Sequence, residues 1–429
     1  MPYRWLLLLS LLFPVTAVFA ATGAGAHHPV ISAIRFVGNK VTKARILRQQ
    51  MVVSVGDPAD PKRIETSRQG IMDLGLFKSV RADLIPDGPG RVILQITVEE
   101  KYYVFPWPLV NAKVNGDYSY GAEMRFDNLA GLNQHLVFSY ENKGSTHTSV
   151  PKRKVAKLAY AYPRIAGSRY DFAFNASVER QTLVGSSGGL ATRDRYDNTW
   201  VSADLSRWLK PGPSRGWRVN AGLATGLHTY KHLDGPASGY RDGQSVALLG
   251  GVEYYDVHEY PFSRSGIDYG ASAEVGVPFA GSDFNYQRLR FYRRRYHRLG
   301  TAPYANFNTQ FQLGLAEGRQ FGADAWSVGG GGSLRGWDGT PAGNALVLAN
   351  IEYLHPLWRW PQLRGVLFTD IGNTYASFRA INLGDLKWSA GVGLRWKVQS
   401  FVNITLAVDA AYNPSTRHTK FYANTSGTF

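Results

Sequence analysis

From Tyr102 onward, apolar and polar residues alternate with a period of two. Tyr118, Tyr120, Ala122, Met124 and Phe126 share one face of an extended segment, while Ser119, Gly121, Glu123 and Arg125 share the other. The division recurs in Tyr170, Phe172, Phe174, Ala176 and Val178 against Arg169, Asp171, Asn175, Ser177 and Glu179. It recurs again in Trp388, Ala390, Val392, Leu394 and Trp396 against Ser389, Gly391, Gly393, Arg395 and Lys397, and in Val402 to Tyr412 against Asn403, Thr405 and Asp409. A soluble sandwich would need a second sheet to cover each apolar face. Here nearly every segment of about ten residues has one greasy and one polar side, which lipid outside and a polar lumen inside explain together. The pattern predicts about sixteen antiparallel strands, from 109–115 to 418–429, an even number as barrel closure requires. Connections after 128, 163, 208, 257, 297, 355 and 397 are short, as periplasmic turns are, and several of the others are long and polar. The last strand ends at Phe429 and closes the barrel only by pairing with the first.

Residues 31–100 read differently. Ile31 to Val37 is a short strand ended by Gly38-Asn39, and a helical segment follows from Lys43 to Gln50. Asp60-Pro61 caps a second helix whose Ile64, Ser67, Ile71 and Leu74 recur at helical spacing, and Gly75 closes it. Phe77 to Ile85 and Arg91 to Val98 alternate as strands about a Pro/Gly-rich turn. The expected fold class is therefore mainly β: a 16-stranded antiparallel transmembrane barrel at 109–429, preceded by one small β-α-α-β-β module at 31–100 and a linker at 101–108.

Residues 1–20 fit a secretory signal cut after Ala20, with residues 21–30 as a leader. The 429 residues contain no cysteine, which removes disulfide frameworks and thiolate chemistry. Past the N-terminus no stretch is apolar enough for a helical span. Lys and Arg exceed Asp and Glu, 48 to 32, for a formal charge of +16. Outside the inner membrane that excess suits loops on anionic lipopolysaccharide and makes nucleic acid an unsuitable partner. Arg288, Arg290, Arg294 and Arg298, with Tyr292 and Tyr296, share one strand face; the ladder either attracts acidic segments or lipid phosphates, or pairs with luminal carboxylates.

Gly329 to Trp337, in the loop at 315–343, lacks the Lys-Ser/Thr and the strand-to-helix setting of a phosphate-cradling loop. Its glycines would instead let the loop fold back into the lumen, carrying Arg335 to an acidic partner. Glu352 and Asp370 are the candidates. Parity puts Glu352 on the inward face with Asn350, whereas Asp370 shares its face with Val366 and Phe368. Gly212-Pro213-Ser214-Arg215-Gly216 matches a nucleophile-elbow string but joins two strands after Pro211, so it reads as a turn. No catalytic residue, metal site or cofactor is expected. Pro106 and Pro108 cannot donate to a ladder. They either form a plain linker or weaken the seam between first and last strands.

These residues carry a family resemblance. Gly-Gly-x-x-Ser-Leu-Arg335-Gly336-Trp337 resembles the sixth extracellular loop of the BamA/TamA-type outer-membrane assembly factors, or bacterial surface antigens. Glu352-Tyr353, Phe368-x-Asp370-x-Gly372-Asn373, Gly391-x-Gly393-x-Arg395 and Asp127-Asn128-x-x-Gly131 are similar to that family's flanking motifs. Phe36-x-Gly38-Asn39, Leu74-Gly75-Leu76-Phe77 and Val92 to Glu100 resemble its periplasmic POTRA domain. The family's essential members carry several POTRA repeats; this chain has room for one. The resemblance implies that Arg335 contacts Glu352 and Asp370. The module's exposed edge, residues 78–85, with Phe77, Lys78, Ser79, Val80 and Arg81 as its client-binding residues, is expected to capture unfolded outer-membrane or secreted polypeptides by strand addition. Expected further partners are lipopolysaccharide, phospholipid, and periplasmic or lipoprotein accessory subunits. The alternative implied by relatives in the same superfamily is a two-partner secretion pore for one dedicated passenger.

Overall fold

The computed structural model describes residues 28–112, 117–145, 152–187, 190–236, 240–318, 326–338, 340 and 342–424. The signal segment at 1–20 and Phe429 lie outside the described residues.

The N-terminal module contains β1 (Val30–Val37), α1 (Ala44–Gln49), α2 (Pro61–Met72), β2 (Phe77–Pro86) and β3 (Arg91–Glu100). Asp60 starts α2 by accepting from the Lys62 N–H at 2.9 Å, and Pro61 fills the first helical position, where no donor is needed. The three strands form one sheet in the order β1-β3-β2, with β1 parallel and β2 antiparallel to β3. One sheet face meets the helices, and Ile31, Leu47, Ile71, Leu76, Phe77, Leu94 and Ile96 form the core between them. β2 lies at a sheet edge. Neither helix is long and apolar enough to cross a membrane.

Sixteen strands follow: β4 (Val104–Ala112), β5 (Asp117–Leu129), β6 (Gln134–Ser145), β7 (Arg153–Tyr162), β8 (Tyr170–Ser187), β9 (Leu190–Trp208), β10 (Gly216–Asp234), β11 (Gly243–Glu259), β12 (Arg264–Gly276), β13 (Tyr286–Leu299), β14 (Ala305–Gly318), β15 (Ala345–Leu357), β16 (Trp360–Tyr375), β17 (Lys387–Val398), β18 (Ile404–Asn413) and β19 (His418–Asn424). Each pairs antiparallel with its sequence neighbour, giving a sixteen-stranded sheet from β4 to β19. Leu223, Leu227, Val252, Leu289, Leu367, Val392 and Phe421 are among many large apolar side chains left exposed on its outer face. A soluble protein rarely exposes so continuous an apolar band, and a lipid-facing barrel wall requires one.

The first barrel strand begins at Val104, so Pro106 and Pro108 stand inside it and not in a linker ending at 108. The β4–β5 register runs unbroken through both prolines, Pro106 facing Met124 and Pro108 facing Ala122. This is tolerated because β4 is the outermost strand of the sheet on that side.

The small module sits on the short-turn rim. Val402, from the β17–β18 turn, joins the module's core. Gln69 donates to the Glu259 carbonyl at 2.8 Å, and Asp73 accepts from the Glu259 N–H and faces His258 Nδ1, both at 2.9 Å. On another turn, Asn128 donates to the Thr42 hydroxyl at 2.9 Å and the Lys43 N–H donates to the Gly131 carbonyl at 3.0 Å. The Asp127-Asn128-x-x-Gly131 string is therefore a docking turn. Ser214, of the nucleophile-elbow string, lies in another rim turn and donates its N–H to Gln50 at 3.1 Å.

Luminal arginine cluster and strand seam

Residues pointing inward from β15 to β18 build the floor of the candidate site. Cross-strand register places Asn350 beside Asp370 and Asp370 beside Ser389, with Glu352 beside Phe368 one step further along. Onto this floor the loop between β14 and β15 folds inward. Its two arms are joined by the Trp326–Gly343 bridge and by the Val328 N–H donating to the Thr340 hydroxyl at 3.0 Å. Val328, Leu334, Leu346 and Leu348 pack beneath it.

Arg335 at the loop tip is fully buried, as is Asp370. Asp370 accepts from Arg335 Nε at 2.7 Å, from Nη2 at 2.8 Å and from the backbone N–H at 3.1 Å. Arg335 Nη1 donates to Glu352 at 2.8 Å and to Asp409 at 3.3 Å. The guanidinium carbon lies 3.4 Å from the Phe368 ring centroid, so one face of the cation rests on an aromatic ring while its edge is ringed by carboxylates. A second arginine, Arg395, donates to Asp409 at 2.6 and 3.1 Å and to Glu352 at 3.3 Å. Two guanidiniums thus meet three carboxylates in a buried network.

Asn350 adds a hydrogen bond to Asp370 at 2.8 Å and another to the Ser333 carbonyl at 2.6 Å, tying floor to loop. Beyond Arg335, the Gly336 N–H donates to the Tyr422 hydroxyl at 2.9 Å, and Trp337 Nε1 donates to the Trp388 carbonyl at 3.2 Å. Gly336 has φ +87°, a left-handed conformation that suits glycine. The Gly391-x-Gly393 spacing also has a steric cause. A Cβ at Gly391 would stand 2.4 Å from the Phe368 ring, and one at Gly393 would stand 2.1 Å from the Asp409 carboxylate.

Arg335, Glu352 and Asp370 thus meet, and Gly336 and Trp337 continue the same loop. Sequence reasoning left Asp409 and Arg395 out of the cluster. Asp409 stood on the polar face of its segment and Arg395 in a quoted motif, so parity carried a signal for both. Val366 and Phe368 blurred the parity of Asp370 because both face the lumen. Val366 packs with Leu354, Phe368, Ala411 and Tyr422, and Phe368 underlies the guanidinium.

The arginine ladder on β13 is also luminal. Arg290 donates to Gln312 at 2.6 Å, Arg294 donates to Gln310 at 2.8 Å and pairs with Asp268 at 3.5 Å, and Arg288 lies 3.7 Å from Glu274. Of the expected client-binding residues, Phe77 and Val80 are buried in the module's core, and Lys78 pairs with Glu99 at 3.0 Å. Ser79 and Arg81 are exposed. The Val80 carbonyl already accepts from Arg68 at 3.2 Å.

At the seam, the direction of the β4 backbone is fixed by one bond. The Asp127 N–H donates to the Tyr103 carbonyl at 2.7 Å, so Tyr103 faces β5. In an antiparallel ladder alternate residues turn their N–H and C=O to opposite sides. Val104, Pro106 and Pro108 therefore face away from β5, toward the place where the last strand must pair. Among the described residues no ladder joins β4 to β19. The start of β4 turns instead to the β17–β18 turn: the Tyr102 N–H donates to the Ser400 carbonyl at 2.7 Å, and the Phe105 and Phe401 rings lie 4.6 Å apart.

A family model described as the Omp85 superfamily domain matches residues 128–429, and one described as the surface antigen variable number repeat, POTRA, matches 29–101. The chain belongs to the Omp85 superfamily. No curated protein matches its sequence. Among solved structures, BamA from Haemophilus ducreyi lacking POTRA domains 1–3 is similar at 18% identity and TM-score 0.53, over 94% of this chain and 84% of that one. CdiB from Acinetobacter baumannii is similar at 13% identity and TM-score 0.64, over 92% and 73%. CdiB from Escherichia coli is similar at 16% identity and TM-score 0.64, over 92% and 76%. At these identities the likeness is one of fold: an Omp85-type outer-membrane barrel preceded by a POTRA domain.

Proposed function

We propose that this Omp85 barrel sits in the outer membrane of a Gram-negative bacterium with its POTRA domain in the periplasm. There it assists insertion and assembly of unfolded polypeptides through the β4/β19 seam. The observation that carries this reading is the seam side of β4. Pro106 and Pro108 present no N–H there, so the closing strand forgoes two hydrogen bonds along the middle of β4. A client strand entering at that edge gains backbone hydrogen bonds that would be left unmade in hydrocarbon, so the exchange needs no nucleotide or cofactor. The free edge of β2 supports capture upstream, where strand addition gives affinity without sequence selectivity. Ser79 and Arg81 supply its exposed side chains, while Phe77 and Val80 contribute backbone alone. Phospholipid, lipopolysaccharide and accessory periplasmic or lipoprotein subunits complete the expected partners.

The reading as a secretion pore for one passenger needs an open lumen. Against it stand the inward-folded loop over the arginine cluster and the POTRA domain on the rim. Two cavities between module and barrel hold about 230 and 270 Å³. The test uses the absence of native cysteine. Paired cysteines, one in Val104–Ala112 and one in His418–Asn424, are oxidised across the seam, and assembly of a client barrel is followed in reconstituted vesicles. The seam reading expects assembly to stop on oxidation and return on reduction. Undiminished assembly by the locked barrel, or a large steady conductance with a matching exported passenger, contradicts it.

A further inference from the structure

The outer wall carries a basic column that nothing in the lumen or seam accounts for. On β13, Arg293, Arg295 and His297 alternate with the luminal residues and are exposed on the lipid side. Their depth follows from the register. One row of outward residues passes from Trp217, the second residue of β10 at the short-turn rim, through Tyr254, Tyr269, Arg293 and Phe311. It continues through β15 and β16 to Trp388, the second residue of β17 at the opposite rim. Such a row climbs the wall because barrel strands tilt, and its two end tryptophans occupy the interfacial girdles. Arg293 is on the fourth of the eight strands crossed, near half height. Arg295 lies two residues, about 7 Å along the strand, nearer the short-turn rim, and His297 two residues nearer again.

A lipid-facing cation is costliest at mid-depth, so an unpaired one there marks a binding site by default. Among the described residues no side-chain hydrogen bond or ion pair is made by Arg293, Arg295 or His297. Arg180, also on the outer wall, contrasts with them, since Asp197 holds it at 2.6 Å. The acid nearest Arg295 on this face, Asp256, lies two strands away and faces Arg215 at 3.8 Å and His258 at 3.9 Å. Beside the column, Tyr254 stacks on Tyr269 at 5.2 Å and Trp217 meets Tyr254 at 5.3 Å, an aromatic strip descending to the rim.

We propose that Arg293 and Arg295, with His297 below them, form a site for the phosphate headgroup of an anionic phospholipid of the periplasmic leaflet. The column rises from the rim toward the middle of the wall, so a headgroup is drawn inward along it while the long arginine stems lie over apolar surface. Lipid is the occupant because it already surrounds this wall and supplies the missing negative charge. A protein partner would need an acidic membrane-embedded segment of its own.

The full-length barrel is reconstituted in phosphatidylcholine vesicles with or without phosphatidylglycerol, extracted into detergent, and its retained lipids are counted by native mass spectrometry. Wild type should retain phosphatidylglycerol over phosphatidylcholine. The Arg293→Leu/Arg295→Leu variant should lose roughly twenty-five-fold of that preference, at about fivefold per arginine near a membrane surface, and the double lysine variant should keep most of it. Leucine suits a lipid-facing position, so the double leucine barrel should fold and remain heat-modifiable. Equal lipid retention in wild type and leucine variant overturns the proposal. So does failure of the leucine variant to fold, which would mean that the column does not face lipid. So does a photocrosslinker at position 293 that captures a protein or a second copy of this chain in place of phospholipid.

Discussion

Arg335 brings a delocalised charge into a site with no exposure, and its energetics rest on the completeness of its ring of acceptors. With Asp370, Glu352 and Asp409 in place, its edge is satisfied; removal of the cation leaves Glu352 and Asp409 to Arg395 and leaves buried Asp370 with the Asn350 amide in place of a cation. Breaking a buried ion network by removing one partner costs about 3–5 kcal/mol. Arg298, between the Tyr260 and Tyr304 rings at 3.9 and 3.8 Å, makes cation–π contacts worth about 0.5–2 kcal/mol. Arg335→Ala should therefore lower the temperature of the barrel's gel-mobility shift much further than Arg298→Ala, and equal shifts would contradict the ledger. Glu352 was legible from alternation because its strand is cleanly two-faced. Asp370 was obscured by the apolar platform that its own arginine requires, and the meeting of Asp409 with Arg335 depends on a loop path that no strand pattern encodes. At the POTRA joint, burial raises the Glu100 carboxyl, but hydrogen bonds from the Thr42 side chain and from the Thr42 and Val41 N–H groups outweigh it and hold the group below its ordinary value. A carboxylate depressed in the folded state contributes stability that is complete above the unfolded value of about 4.3 and is lost as pH falls through the folded value. The Val41 and Thr42 amides should therefore lose hydrogen-exchange protection, measured against the intrinsic rate at each pH, on acidification below that value. In Glu100→Gln that protection should already be low and change little with pH.

At the scale of the element, β4 differs from the other barrel strands in what it offers its outer neighbour. The prolines leave the β5 ladder whole and depopulate the other side, which a terminal strand tolerates. Restoring both donors in Pro106→Val/Pro108→Val should strengthen the closed seam by about 0.5–1.5 kcal/mol per hydrogen bond. The variant should melt higher in the same heating series while assembling clients more slowly. A variant that melts higher and assembles at the wild-type rate would separate seam strength from function. The existence and number of strands were legible because a period of two survives through each of them. The start of the first strand was not, because proline reads as a breaker wherever the sequence alone cannot say which side of a strand lacks a partner.

Across the whole molecule, the POTRA domain and the barrel share a core residue, Val402, and are joined by hydrogen bonds at several rim turns. The two-part division of the chain was plain from its change of period, but the joint was not. Its residues are turn residues whose neighbours are set by barrel curvature. With one rim occupied by the module and the lumen crossed by the arginine loop, the proposed client route is the wall itself, at the seam. Amide hydrogen exchange of the intact barrel in bilayers tests this most directly. The account predicts rapid exchange at the seam-facing amides of β4, those of Val104, Val110 and Ala112, against slow exchange along the central strands such as Tyr286–Leu299. Uniform protection around all sixteen strands would contradict it.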